Sequence, residues 1–146
     1  MNDQPYGVPE KHWPAKLTYW WFRAARRLRL NALKNQQITD IRIEQIEHLQ
    51  GALDSNQGVM LAPNHSFHWD SYCLLSVADR LQTPFYVMTA WQVFSQSSWF
   101  ECESMQRCGC FSVDRENTDI QSMKTAMDIL QNRKEPLVVF PEGDIY

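Results

Sequence analysis

Four short apolar runs, at 58–63 (GVMLAP), 84–89 (PFYVMT), 110–113 (CFSV) and 136–140 (PLVVF), recur along the chain with longer segments between them. Each run is too brief for a helix and suits an extended, buried backbone. A stretch at 38–46, in which Ile41 and Ile43 alternate with polar residues, reads as one more strand. The segments between the runs have helical spacing. Residues 70–80 form a buried helix through Tyr72, Leu74, Leu75, Val77 and Ala78, and 91–106 is helical but aromatic and irregular. Residues 118–132 give the clearest helix, with Ile120, Met123, Met127 and Leu130 as its apolar stripe and Thr118 and Gln121 as a capping box. Parallel strands need such crossovers, so the pattern predicts an α/β fold with a mostly parallel sheet flanked by helices. At 146 residues the chain has room for one domain. Its 44% hydrophobic and 21% charged residues exclude a wholly disordered chain.

The sequence before the sheet has a different character. Residues 1–13 are polar, hold Pro5, Gly7 and Pro9, and read as a loose N-terminal segment. Residues 14–34 read as a basic amphipathic helix. Leu17, Trp20, Trp21, Ala24 and Leu28 fall on one side, and Lys16, Arg23, Arg26, Arg27 and Lys34 gather on another. Residues 1–34 carry a net charge of +5, whereas 35–146, the domain proper, carry −8. A basic arm on an acidic body points to an anionic partner. Trp on the apolar side and Arg on the polar side fit a helix lying in a membrane interface. An anionic membrane surface is therefore the expected partner of 14–34, and nucleic acid, with no accompanying motif, is not. A helix whose Trp residues pack on the domain is the alternative. No apolar run approaches the roughly 20 residues that span a bilayer, and no N-terminal secretory pattern is visible. Cys73, Cys102, Cys108 and Cys110 do not repeat as metal-binding pairs and read as reduced thiols. The expected location is cytoplasmic, at the cytoplasmic face of a membrane. A parallel sheet would continue beyond residue 146 through another helix and strand, so the C-terminal part of the domain is expected to be missing.

The chemistry concentrates just after the 58–63 run, in Asn64-His65-Ser66-Phe67-His68-Trp69-Asp70. Sites in parallel sheets lie beyond the carboxyl ends of strands. His65 and Asp70 are five apart across a strand-to-helix turn, close enough for the carboxylate to fold back onto the imidazole. An Asp on one ring nitrogen fixes the tautomer and makes the other nitrogen a better base. The same spacing also suits a capping Asp beside a surface His. His65, His68 and Asp70 could instead be three metal ligands, as in a hydrolase. Trp91, Phe94, Trp99 and Phe100 are expected in the core, with lining a groove or touching lipid as the alternative. His12 and His48 read as surface residues.

The 64–70 run resembles the NHxxxxD motif of the glycerolipid acyltransferases, most nearly the 1-acyl-sn-glycerol-3-phosphate (lysophosphatidate) type. Gly109-Cys110-Phe111-Ser112-Val113-Asp114-Arg115 resembles that family's GxFxxxR block, and Phe140-Pro141-Glu142-Gly143 the start of its FPEGTRS block. The resemblance covers roughly 40–146. It departs where Asp144, Ile145 and Tyr146 replace Thr-Arg-Ser, and the family's fourth, Pro-containing block is absent.

The resemblance implies transfer of a fatty acyl group from acyl-CoA or acyl-carrier protein to the free hydroxyl of lysophosphatidate, giving phosphatidate. No cofactor or metal is implied. His65 would be the base and Asp70 its orienting partner, while Gly109, Phe111, Arg115, Glu142 and Gly143 would bind the acceptor. Glycerol 3-phosphate or another lysolipid as acceptor, and an incomplete domain that only binds lipid, are the competing expectations.

Overall fold

The computed structural model describes residues 11–15 and 19–143. Seven helices and four strands follow one another among them: α1 (Tyr19–Ala24), α2 (Arg26–Asn35), α3 (Ile46–Asp54), β1 (Met60–Leu61), α4 (Asp70–Leu81), β2 (Tyr86–Ala90), α5 (Trp91–Ser95), α6 (Trp99–Arg107), β3 (Cys110–Val113), α7 (Ile120–Asn132) and β4 (Leu137–Val138). The strands form one sheet in the order β1-β4-β2-β3, and every pairing is parallel. This is the α/β architecture that the alternating runs require.

Period-two alternation divides the core between the two faces of the sheet. Phe85 and Val87 beside β4 Val138 pack against Phe22, Leu75 and Ala78 of α1 and α4. Tyr86, Phe111 and Leu137 face the other way, against Ala126 and Ile129 of α7. Asp70 in the first turn of α4 and Arg80 in its last complement the helix dipole. Ser98 and Glu101 close a capping box at the start of α6.

Several expectations need correction. Residues 38–46 contain no strand: the stretch pairs with no neighbour among the described residues, and Ile46 opens α3. Alternation reports a half-buried extended segment, but a strand also needs a ladder for its backbone groups. The 58–63 run shrinks to two paired residues at the sheet edge, with Met60 exposed. The 14–34 helix is interrupted at Ala25, and its residues 16–18 lie outside the described ones. Its buried face is Phe22, Arg29 and Leu33, whereas Trp20, Ala24 and Leu28 face out.

The helix at 118–132 is also turned from its expected setting. Ile120, Met123 and Met127 are exposed, while Ser122, Ala126 and Ile129 lie against the sheet. Small side chains let this helix approach closely: a Cβ on Gly58 would collide with the Leu130 carbonyl. The N-cap is Asp119, which accepts from the Ser122 N–H at 3.1 Å, and not Thr118. The aromatic segment divides, with Phe94 buried and Trp99 and Phe100 exposed.

The described part of the loose N-terminal segment is pinned. Lys11 pairs with Asp119, the Ser112 N–H donates to the His12 carbonyl at 2.9 Å, and the His12 ring stacks on Phe94. Residues 1–10 lie outside the described ones.

Candidate active site

Parallel pairing sets all four strands with their carboxyl ends on one rim. The register then decides which loops meet there. Leu61 of β1 pairs with Val138 of β4, and His65 and Glu142 each follow four residues later. Although 77 residues apart in sequence, they touch: the His65 backbone N–H donates to Glu142 Oε2 at 2.7 Å. Phe140, two residues before Glu142, stacks on the His65 ring with centroids 4.3 Å apart. The loops after β1 and β4 are therefore joined at the histidine, and its ring plane is set by an aromatic neighbour.

Asp70 approaches the same ring from the start of α4. Its Oδ2 stands 3.4 Å from His65 Nδ1 and also accepts the backbone N–H groups of Ser66 and Phe67, each at 2.8 Å. One carboxylate oxygen thus folds the 65–70 turn and orients the imidazole. In the tautomer with its proton on Nδ1, His65 donates to Asp70 and leaves Nε2 as a proton acceptor. Both side chains are about three-quarters buried or more, with 20% and 24% of their surface exposed.

Arg115 reaches this rim from the end of β3. A Cβ built on Gly143 would lie 3.8 Å from Arg115 Cδ, so the arginine stem runs beside the Glu142-Gly143 turn. Gly143 has φ +70°, which favours glycine at that turn. Arg115 is exposed, and among the described residues no carboxylate pairs with it. The adjacent Asp114 is engaged elsewhere. It accepts from Asn117 Nδ2 and the Glu116 N–H, both at 3.0 Å, and these bonds hold its carboxyl below the usual range.

The loop carrying Arg115 is anchored by Asp119. Burial alone would raise the Asp119 carboxyl, but Lys11, the Ser122 hydroxyl and the N–H groups of Asp114 and Ser122 outweigh it and hold the group well below the usual range.

Two of the expected acceptor contacts are not on the rim. Gly109 sits at the amino end of β3, where φ +92° fits the turn out of α6. Phe111 is 0% exposed and packs against Tyr86, Ala126, Ile129 and Leu137. These positions serve the fold around the site. His68 is exposed, and no group of three or more His, Cys, Asp or Glu residues that could hold a metal ion is gathered among the described residues. The Cys110 thiol is pushed up to about 12 by burial and keeps its proton.

The sequence reasoning missed the Phe140 stack and the Lys11 anchor. Phe140 was legible as part of its block; nothing local marks Lys11. At the carboxyl end of β2, Trp91 Nε1 and Gln92 Oε1 are buried without hydrogen-bond partners among the described residues.

The carboxyl rim of the parallel sheet thus brings together a carboxylate-oriented imidazole and a guanidinium that pairs with no carboxylate among the described residues, an arrangement able to accept a proton beside an anion. Residues 40–146 match the Acyltransferase family model, and the chain belongs to that family. It is an acyltransferase by family. No curated protein and no solved structure gives a significant match.

Proposed function

We propose that this acyltransferase moves a fatty acyl group from acyl-CoA or acyl-carrier protein to the free hydroxyl of lysophosphatidate, giving phosphatidate in phospholipid synthesis. The observation that carries the reading is the His65–Asp70 pair on the same rim as Arg115. His65 Nε2 takes the proton of the acceptor hydroxyl as its oxygen attacks the thioester carbonyl. The tetrahedral intermediate collapses by breaking the carbon–sulfur bond, and the imidazolium returns its proton to the departing thiolate. Asp70 stabilises the transient imidazolium. General-base help of this kind contributes typically about 10²- to 10⁴-fold in rate. Arg115 grips the acceptor phosphate, for which a guanidinium offers paired, charge-assisted hydrogen bonds. Glu142 holds His65 in register. The acyl-enzyme of a serine mechanism is not needed.

The acceptor is a lipid, and the basic 14–34 segment holds the enzyme to the cytoplasmic face of an anionic membrane. Among the described residues no helix is long and apolar enough to cross a membrane.

The test is acyl transfer read by mass spectrometry. Wild type and His65→Ala are given vesicles, acyl-CoA or acyl-carrier protein, and either lysophosphatidate or glycerol 3-phosphate. Phosphatidate from lysophosphatidate with wild type alone is the expected result. Product from glycerol 3-phosphate instead would reassign the acceptor, and full activity in His65→Ala would overturn the base assignment.

A further inference from the structure

A second cationic site lies at the opposite end of α4 from the His65 rim. Asp70 opens α4 and Arg80 lies in its last turn, a separation of about 15 Å along the helix axis. There the helix end and α1–α2 enclose a cleft of about 310 Å³ lined by Tyr19, Arg23, Arg26, Asp79, Arg80 and Gln82.

Among the described residues its only acidic lining group, Asp79, is already neutralised. Arg29, 6% exposed and stacked over the Phe22 ring, places Nη2 3.2 Å from both Asp79 carboxylate oxygens, and Arg26 Nε lies 3.2 Å from Oδ2. Among the described residues, Arg23 and Arg80 pair with no carboxylate. Arg26 and Arg29 thus share the Asp79 carboxylate while Arg23 and Arg80 line the same cleft, and no Asp or Glu occurs anywhere between Glu10 and Asp40 to offset them. The carbonyl end of α4 opposes an anion here, but the Gln82 and Thr83 N–H groups already occupy the Asp79 and Ala78 carbonyls. Two guanidinium forks on a concave wall match a phosphate, whose oxygens accept paired N–H groups.

The surroundings select the source of that phosphate. Trp20 is 73% exposed and stands one helical turn before Arg23, and the exposed Arg27 follows beyond the Ala25 break. Beside a lipid phosphate an exposed indole sits at headgroup depth and gains apolar contact that a free ion does not offer.

We propose that this cleft is a headgroup site for an anionic phospholipid, distinct from the acceptor site at Arg115, with Arg23 and Arg80 as its phosphate-gripping residues. It deepens the membrane assignment made above by adding α4 to the docking surface. Its test requires no acyl transfer, so its failure leaves the His65 chemistry untouched.

The experiment is flotation of the full chain with phosphatidylcholine vesicles, with and without phosphatidylglycerol. It compares wild type, Arg23→Gln/Arg80→Gln, the charge-matched control Lys124→Gln/Lys134→Gln, and Arg23→Lys/Arg80→Lys. Denaturant midpoints establish that each variant is folded, which the exposure of the substituted side chains favours. Wild type should bind phosphatidylglycerol vesicles. The double Gln variant should lose on the order of thirty-fold in affinity, as expected for two basic groups at the surface. The Lys124/Lys134 control should lose far less, and the double Lys variant should fall between. Equal losses in the two charge-reducing pairs would reduce the effect to diffuse charge and overturn the site. Saturable calorimetric binding of inorganic phosphate, without vesicle binding, would overturn the lipid assignment in favour of a free-anion site.

Discussion

Replacing Glu142 tests how the rim is held together. Its carboxylate accepts the His65 backbone N–H at 2.7 Å and is the polar tie between the loops after β1 and β4. A hydrogen bond to a charged acceptor contributes about 1.5–3 kcal/mol when sheltered. Solvent surrounds this one, which reduces the figure to roughly 1–2 kcal/mol. If that energy keeps the imidazole aligned, Glu142→Ala costs about 5- to 30-fold in kcat. The Phe140 stack remains and prevents a larger loss. Glu142→Gln keeps an acceptor oxygen and should recover to within roughly threefold of wild type. The assay is acyl transfer at saturating acceptor, with KM measured alongside. A Gln variant no better than Ala would refute the positioning argument. So would an Ala variant with normal kcat and a raised acceptor KM, which would put Glu142 on the acceptor itself.

Arg115→Ala should raise the acceptor KM by about 10- to 100-fold, the value of a charged pair of hydrogen bonds, with a smaller change in kcat; an unchanged KM would remove Arg115 from the acceptor site. Asp119 is held below the roughly 3.9 of an unfolded Asp, so its contribution is complete above about pH 4 and is lost as pH falls towards its folded value. Denaturant midpoints of wild type should therefore fall more steeply below about pH 4 than those of Asp119→Asn, and parallel curves would contradict the network. Gly58→Ala drives a methyl into the Leu130 carbonyl and should lower stability by roughly 1–3 kcal/mol in urea unfolding; a neutral substitution would show that α7 can shift away freely.

The acyltransferase assignment and the alternating architecture were legible because both depend on local information. Four short apolar runs separated by helical stretches leave few arrangements except a parallel sheet, and the span 110–113 was recovered as β3. The His65–Asp70 spacing is likewise local: five residues around one turn bring the two side chains to 3.4 Å. Pattern failed where two faces of one helix were both plausible. Along 118–132 the large apolar residues form the better stripe, yet the sheet takes Ser122, Ala126 and Ile129, because close approach to Gly58 rewards small side chains. The same limit applies to α1 and α2, whose buried face includes Arg29, a charge admitted only because Asp79 and the Phe22 carbonyl wait for it from elsewhere in the fold.

Sequence alone determined the four strand-bearing runs in their order, the site-bearing turn and the charge asymmetry, since propensity, spacing and composition act between near neighbours. Tertiary structure alone decided that β4 inserts between β1 and β2, and so that Glu142 reaches His65 across 77 residues while Gly109 and Phe111 stay behind the rim. It also decided that Arg29 is spent inside while Arg23 and Arg80 are left to face a common cleft. The reason is physical. Backbone pairing and close packing choose among faces and registers that local preference leaves nearly equal in energy.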